Sequence, residues 1–152
     1  MDRQPRDEHL MGLALEDARD AASAGDVPVG AVVARGEEVL GRAGNARERE
    51  QDPTAHAEIL ALRQAAAALG SWNLGGCTIY VTLEPCAMCA GALVLSRIDR
   101  LVFGADDPKA GFAGSLGDLV RDPRLNHALE VTSGVLADAC GDVLRDFFRD
   151  RR

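Results

Sequence analysis

No run in this chain approaches the roughly 18 consecutive apolar residues of a membrane-spanning helix, although 47% of its 152 residues are hydrophobic. Residues 1–9 are mostly charged and polar and hold no apolar core of the kind a secretory signal requires. The expectation is a protein with no leader and no span, resident in the cytoplasm. Basic charge is also short. The formal net charge is −7, which argues against a non-specific nucleic-acid binder, since such proteins are usually basic. Arg145, Arg149, Arg151 and Arg152 do crowd the last eight residues. They read equally as a local basic patch or as cations at an exposed helix end, where they complement the dipole. Cysteine is sparse, at four. In a reducing compartment no disulfide is expected, and Cys77 and Cys140 read as small buried apolar residues. Repeats, low-complexity tracts and linkers are missing too. Residues 1–152 therefore read as one domain, long enough for a substantial core.

Against these absences two short pieces stand out. One is His56-Ala57-Glu58. The other is Pro85-Cys86-Ala87-Met88-Cys89, which begins 85 − 58 = 27 positions after Glu58. An imidazole and two thiolates suit Zn²⁺, and three protein ligands leave a fourth position for water, as in a catalytic site. A carboxylate beside the histidine can work on that water. This pattern resembles the established signature of zinc deaminases acting on nucleobases. A lone CxxC also fits a structural zinc, a redox pair or chance. Structural zinc would want a fourth Cys or His at recognisable spacing, and Cys77, Cys140, His9 and His127 show none.

Local geometry agrees with a metal site. Cys86 and Cys89 are three apart and share a face if they open a helix behind Pro85. Thiolates there gain from the dipole and from unpaired N–H groups. His56 and Glu58 lie about 200° apart on a helix of about 3.6 residues per turn. They converge only on a metal beyond the helix start. Thr54 is the expected N-cap. The expected arrangement is two helix N-termini facing one zinc.

The rest of the chain reads in order as follows. Residues 7–24 form a helix capped by Asp7, with Leu10, Met11, Ala14, Leu15, Ala18 and Ala22 as its stripe. A hairpin follows, with strands at 27–33 and 38–42. Residues 47–51 read as a charged loop and 55–69 as a helix. Trp72 is expected over a core edge. A strand at 77–83 leads to the Cys86 helix, which is apolar nearly all round and so suited to cover on both sides, by the sheet and by a partner subunit. A strand at 100–104 leads into a Gly-rich loop at 105–117 of a length that often carries function. A short helix at 116–120, a strand at 129–132 and a helix at 137–149 complete the chain. One hairpin followed by alternating strands and helices implies an α/β fold: a mixed sheet of five strands with helices on both faces.

With these residues placed, the sequence closely resembles the bacterial tRNA-specific adenosine deaminases (TadA type) of the cytidine-deaminase superfamily. The matching stretches are VPVGAV at 27–32, DPTAHAEILALR at 52–63, VTLEPCAMCAGA at 81–92, SRI at 96–98, VFGADDPKAG at 102–111, GSL at 114–116, LNH at 125–127 and DFFR at 146–149. The HAE and PCxxC pieces belong to the whole superfamily; GSL, NH and the terminal FF point to the tRNA branch. The resemblance implies a three-layer α/β/α cytidine-deaminase-like fold and conversion of the wobble adenosine of a tRNA anticodon to inosine, chiefly in an arginine tRNA. It also implies a homodimer with the zinc-site helices near its interface.

By position the resemblance makes His56, Cys86 and Cys89 the ligands of one Zn²⁺ per subunit, and Glu58 the proton shuttle. It makes Asn45 a hydrogen-bond partner of the base and Val27 and Leu83 the pocket walls. Asp107 becomes a contact to the flanking nucleotide, and the tail at 147–152, with Phe148 and Arg149, the part that touches the anticodon loop. Two departures stand out: Phe112 where a small residue is expected, and a chain that stops at Arg152 without a longer basic tail. Two other functions compete. One is deamination of free guanine or cytosine by the same chemistry. The other is a non-catalytic zinc-binding subunit, which the presence of Glu58 and Asn45 argues against.

Overall fold

Three of the five strands are apolar along nearly their whole length, as strands buried on both faces must be. The computed structural model describes residues 3–151. Its elements are α1 (Arg3–Ser23), β1 (Gly30–Arg35), β2 (Glu38–Gly44), α2 (Arg47–Glu50), α3 (Ala57–Leu69), β3 (Thr78–Leu83), α4 (Ala87–Leu95), β4 (Arg100–Ala105), β5 (Glu130–Thr132) and α5 (Ala137–Asp150). The sheet order is β2-β1-β3-β4-β5. β1 pairs antiparallel with β2 and β3, whereas β3–β4 and β4–β5 are parallel. The expected mixed five-stranded α/β fold is present, with helices on both faces.

Side-chain alternation splits the core in two. Val32, Ala34, Tyr80 and Val102 pack with Leu10, Met11, Ala14 and Leu15 of α1 and Cys140 of α5. Their neighbours Ala31, Val33, Ile79, Val81, Leu101 and Phe103 point the other way, onto Ala61 and Leu62 of α3 and Leu93 and Val94 of α4. This is the two-residue period of strands, read on both faces. α1 lies directly on the hairpin: a Cβ at Gly30 would fall on the carbonyl oxygen of Ala14, so only glycine fits there.

Several local expectations are corrected. α1 begins at Arg3, and Asp7 is an interior helical residue, 3% exposed, held bidentate by Arg100 at 2.9 and 2.7 Å. β1 starts at Gly30 because Pro28 has no N–H and that of Val29 closes on the Val27 carbonyl. Residues 47–50 form a one-turn helix, not a loop. The helix expected at 116–120 is absent; that stretch turns back in a bridge between Ala113 and Asp118. Thr54 does not cap α3. Its N–H and hydroxyl both bond Asp52 in a local turn, and His56 occupies the cap position. Trp72 is 67% exposed rather than packed on a core edge. Cys77 and Cys140 are buried free thiols, as expected.

Candidate active site

The chain turns into α3 at His56 and into α4 at Cys86; each is the residue just before its helix, in extended conformation. The two side chains thus reach past the ends of their helices toward each other. His56 Nδ1 lies 3.6 Å from Cys86 Sγ and 3.5 Å from Cys89 Sγ. All three donor atoms fall within 4.8 Å of one another. The 200° separation of His56 and Glu58 is overcome as foreseen, by a focus beyond the helix start, though with a cap two residues later than Thr54. This group can hold a metal ion.

Glu58, at the second position of α3, is 4% exposed and faces the same focus. Burial pushes its carboxyl up to about 7, and the nearby Cys86 thiolate adds to the rise. Cys86 is held down at about 4 by hydrogen bonds from the Cys89 thiol and from His56, with the Cys89 N–H at the helix start contributing. Its partner Cys89 is pushed upward by that same thiolate and by burial. His56 is raised by its bond to Cys86.

His56, Glu58 and Cys86 line a cavity of about 180 Å³, while Cys89 is buried outside its lining. Its walls come from the segments around β1 and β2, from the starts of α3 and α4, and from the loop after β4. Val27, Leu83, Asn45 and Asp107 all line it, beside His56, Glu58 and Cys86. Asn45 is tied down: its Nδ2 donates to the Val27 carbonyl and its Oδ1 accepts from the Arg47 N–H. One hydrogen on Nδ2 remains for another acceptor. The Asp107 carboxylate accepts from the N–H groups of Lys109 and Ala110, so it also caps its own loop.

Phe148 and Arg149 do not line this cavity. Phe148 is 51% exposed on α5, edge-on to Phe147 at 5.4 Å. Arg149 pairs with Asp146 at 3.0 Å, Arg145 pairs with Asp142, and Arg151 stacks over Phe147 at 4.3 Å. The arginine-rich end is therefore partly neutralised by its own aspartates. Arg152 lies outside the described residues. Phe112 is not in the cavity either; its ring sits against Gly117, and its N–H bonds the Pro85 carbonyl.

Arg47, Ala110, Val29 and Glu84 line the cavity without having been singled out from sequence. For Glu84 a signal existed: a carboxylate at the end of a β-branched run, one residue before Pro85. Burial would raise its pKa, but the Ser115 hydroxyl and three backbone N–H groups hold it below the ordinary value.

A family model described as MafB19-like deaminase matches residues 6–152. The chain is 52% identical over 147 residues to a protein of Bacillus subtilis named tRNA-specific adenosine deaminase, covering 97% of this chain and 91% of that one. A Haemophilus influenzae protein of the same name is 50% identical over 151 residues, with 99% and 87% covered. Among solved structures, one from work on A-to-I editing by tRNA:A34 deaminases at the wobble position superposes with a TM-score of 0.86 at 44% identity. It covers 90% of this chain and 99% of that one. A guanine deaminase from Nitrosomonas europaea superposes at 0.81 with 28% identity, covering 92% and 83%.

Proposed function

This chain belongs to the MafB19-like deaminases and to the tRNA-specific adenosine deaminases, and we propose that residues 1–152 act as one zinc-dependent deaminase domain. Its reaction is hydrolytic deamination of the wobble adenosine of a tRNA anticodon to inosine, with release of ammonia. The observation that carries the site assignment is the meeting of His56, Cys86 and Cys89 at a pocket lined by His56, Cys86 and the buried Glu58.

The donor set fits zinc. Bonds of about 2.0–2.1 Å to nitrogen and about 2.3 Å to sulfur at tetrahedral angles place those donors roughly 3.6 Å apart, and the His56–cysteine separations are 3.6 and 3.5 Å. His56 Nδ1, Cys86 Sγ and Cys89 Sγ would hold the ion. When bound, zinc supplies a water-derived nucleophile near neutral pH by lowering the pKa of that water. Every other step falls to the chain. Glu58, with a carboxyl near 7, takes the proton from the water and passes it to the ring nitrogen beside the amine-bearing carbon. It would then take the proton of the hydroxyl newly added to that carbon and pass it to the amine, which leaves as ammonia. Val27 and Leu83 flank the base, and the free Nδ2 hydrogen of Asn45 faces it.

The cavity is small beside the roughly 300–1,000 Å³ of drug-sized pockets, which suits one base swung out of its loop. Asp107 would meet the flanking nucleotide, and Phe148 with Arg149 the anticodon loop. The preferred substrate is the anticodon stem-loop of an arginine tRNA, the working form a homodimer and the compartment the cytoplasm. Among the described residues no helix is long and apolar enough to cross a membrane.

The likeness to a guanine deaminase favours a second reading, attack on free bases. It carries less weight, at 28% identity against 52%. Incubation of zinc-loaded protein with an arginine-anticodon stem-loop, and in parallel with free guanine and cytosine, separates the two. Inosine in the stem-loop alone is expected. Ammonia from a free base with the stem-loop untouched would overturn the substrate assignment and leave the zinc chemistry standing.

A further inference from the structure

Glu84 sits between a pocket wall and a metal ligand, and none of the chemistry above uses it. It is 2% exposed. Its Oε1 accepts from the Asp107 N–H at 3.0 Å and from the Ser115 hydroxyl; its Oε2 accepts from the N–H groups of Ala113 and Ser115, each at 3.0 Å. A carboxylate offers about four acceptor positions. All four are taken, so Glu84 has nothing left for a substrate and is not an acid or base of the reaction. The loop also comes in close. A Cβ at Gly111 would collide with the Glu84 carboxylate, so that position must be glycine. The adjoining Pro85 carbonyl takes a fifth loop donor, the Phe112 N–H, at 2.8 Å.

We propose that Glu84 is a positioning residue that holds residues 107–115 as a preformed wall of the base pocket. It acts through Asp107 and Ala110, the two loop residues that line the cavity. The tie is made from the two residues immediately before Cys86. The substrate wall and the metal ligand therefore share one short rigid segment, Leu83-Glu84-Pro85-Cys86. The loop has no helix of its own; beside its internal turns and the Ala113–Asp118 bridge, it is fastened to the Cys86 segment by this buried carboxylate and the Pro85 carbonyl. Without that tie, substrate binding would have to pay for ordering the loop.

The proposal rests on the deaminase reading for its kinetic arm and is independent of it for its structural arm. Glu84→Gln keeps the shape but sets an NH₂ group against N–H donors. Amide hydrogen exchange should rise at least about tenfold at Asp107, Ala113 and Ser115 and stay unchanged in the core strands. Zinc content should remain at the wild-type level. KM, read with whichever substrate the wild-type protein turns over, should rise about tenfold, and kcat should fall by less than that. Ser115→Ala removes one of the four donors and should show the same pattern more weakly, which covers failure of Glu84→Gln to fold. Unchanged exchange in the loop would overturn the proposal. So would exchange rising throughout the chain or loss of zinc, because each makes Glu84 a general fold or metal anchor, and so would local loosening with KM unmoved, because the loop's order would then do nothing for binding. A wild-type protein that deaminates only a free base would defeat the tRNA reading and leave this test intact.

Discussion

Each group at the metal-binding focus is set by where it stands on a helix end. Cys86 is acidic because a thiol, an imidazole and a helix-start N–H all donate toward it. Glu58 is the opposite case, a carboxyl raised by burial to about 7, where a group can both take and give a proton near neutral pH. Glu58→Ala should therefore keep fold and zinc and lose about 10²–10⁴-fold in single-turnover inosine formation. Metal analysis and circular dichroism on the same sample check the first half. Near-wild-type turnover in the zinc-loaded variant would remove Glu58 from the mechanism. Cys86→Ala should lose its metal, and full zinc occupancy there would strike Cys86 from the ligand set.

At the scale of elements, α1 is pinned across the sheet by a pair that local rules do not anticipate. Asp7 is bound by both guanidinium nitrogens of Arg100 and by the Tyr80 hydroxyl at 3.1 Å. Burial alone would raise the Asp7 pKa, but Arg100 outweighs it, and the group sits below its ordinary 3.8. Between the folded value and 3.8 the unfolded chain binds more protons, so stability rises with pH there. The contribution is complete above 3.8 and is lost as pH falls through the folded value. Asp7→Asn should destabilise the protein by about 3–5 kcal/mol at neutral pH, because it leaves the buried Arg100 charge only its longer ion pair with exposed Glu130, at 3.4 Å. It should also flatten the fall of Tm on acidification from about pH 4 to 2. Melting curves over that range decide both points; an unaltered acid limb would show that Asp7 is not the titrating group.

For the molecule as a whole, the outer side of α4 is the open question of assembly. Cys89, Ala90, Leu93 and Val94 are buried inside, while Met88 and Leu95 are 37% and 71% exposed. Trp72 and Leu116 add further exposed apolar surface. Apolar surface of this kind marks interaction sites when it is contiguous, and it agrees with the homodimer proposed above. Leu95→Glu should convert a dimer to a monomer in sedimentation velocity and change monomer stability by less than about 0.5 kcal/mol, since the side chain is exposed. A wild-type protein that sediments as a monomer at micromolar concentration would end the dimer proposal.

The succession of strands along the chain, the mixed two-faced sheet and the His56, Cys86 and Cys89 candidates are legible from sequence, because all of them are written in short-range patterns. A run of five or six apolar or β-branched residues marks a strand buried on both faces, and the HxE and PCxxC spacings are local. Val27, Leu83, Asn45 and Asp107 line one cavity, while Phe148 and Arg149 stand apart from it on α5. What the tertiary structure alone decided are the polar partnerships over long separations. Asp7 looked like a helix cap because its partner Arg100 lies 93 residues away. Thr54 is a local exception: Asp52, two residues before it, takes its N–H and hydroxyl in an Asx-type turn that competes with the cap. Glu84 stands in a matching stretch, but its role is not readable there, since its four donors come from residues 23 to 31 positions downstream. Apolar patterning fixes which face is buried; a buried charge is placed by whichever donors the finished fold brings to it.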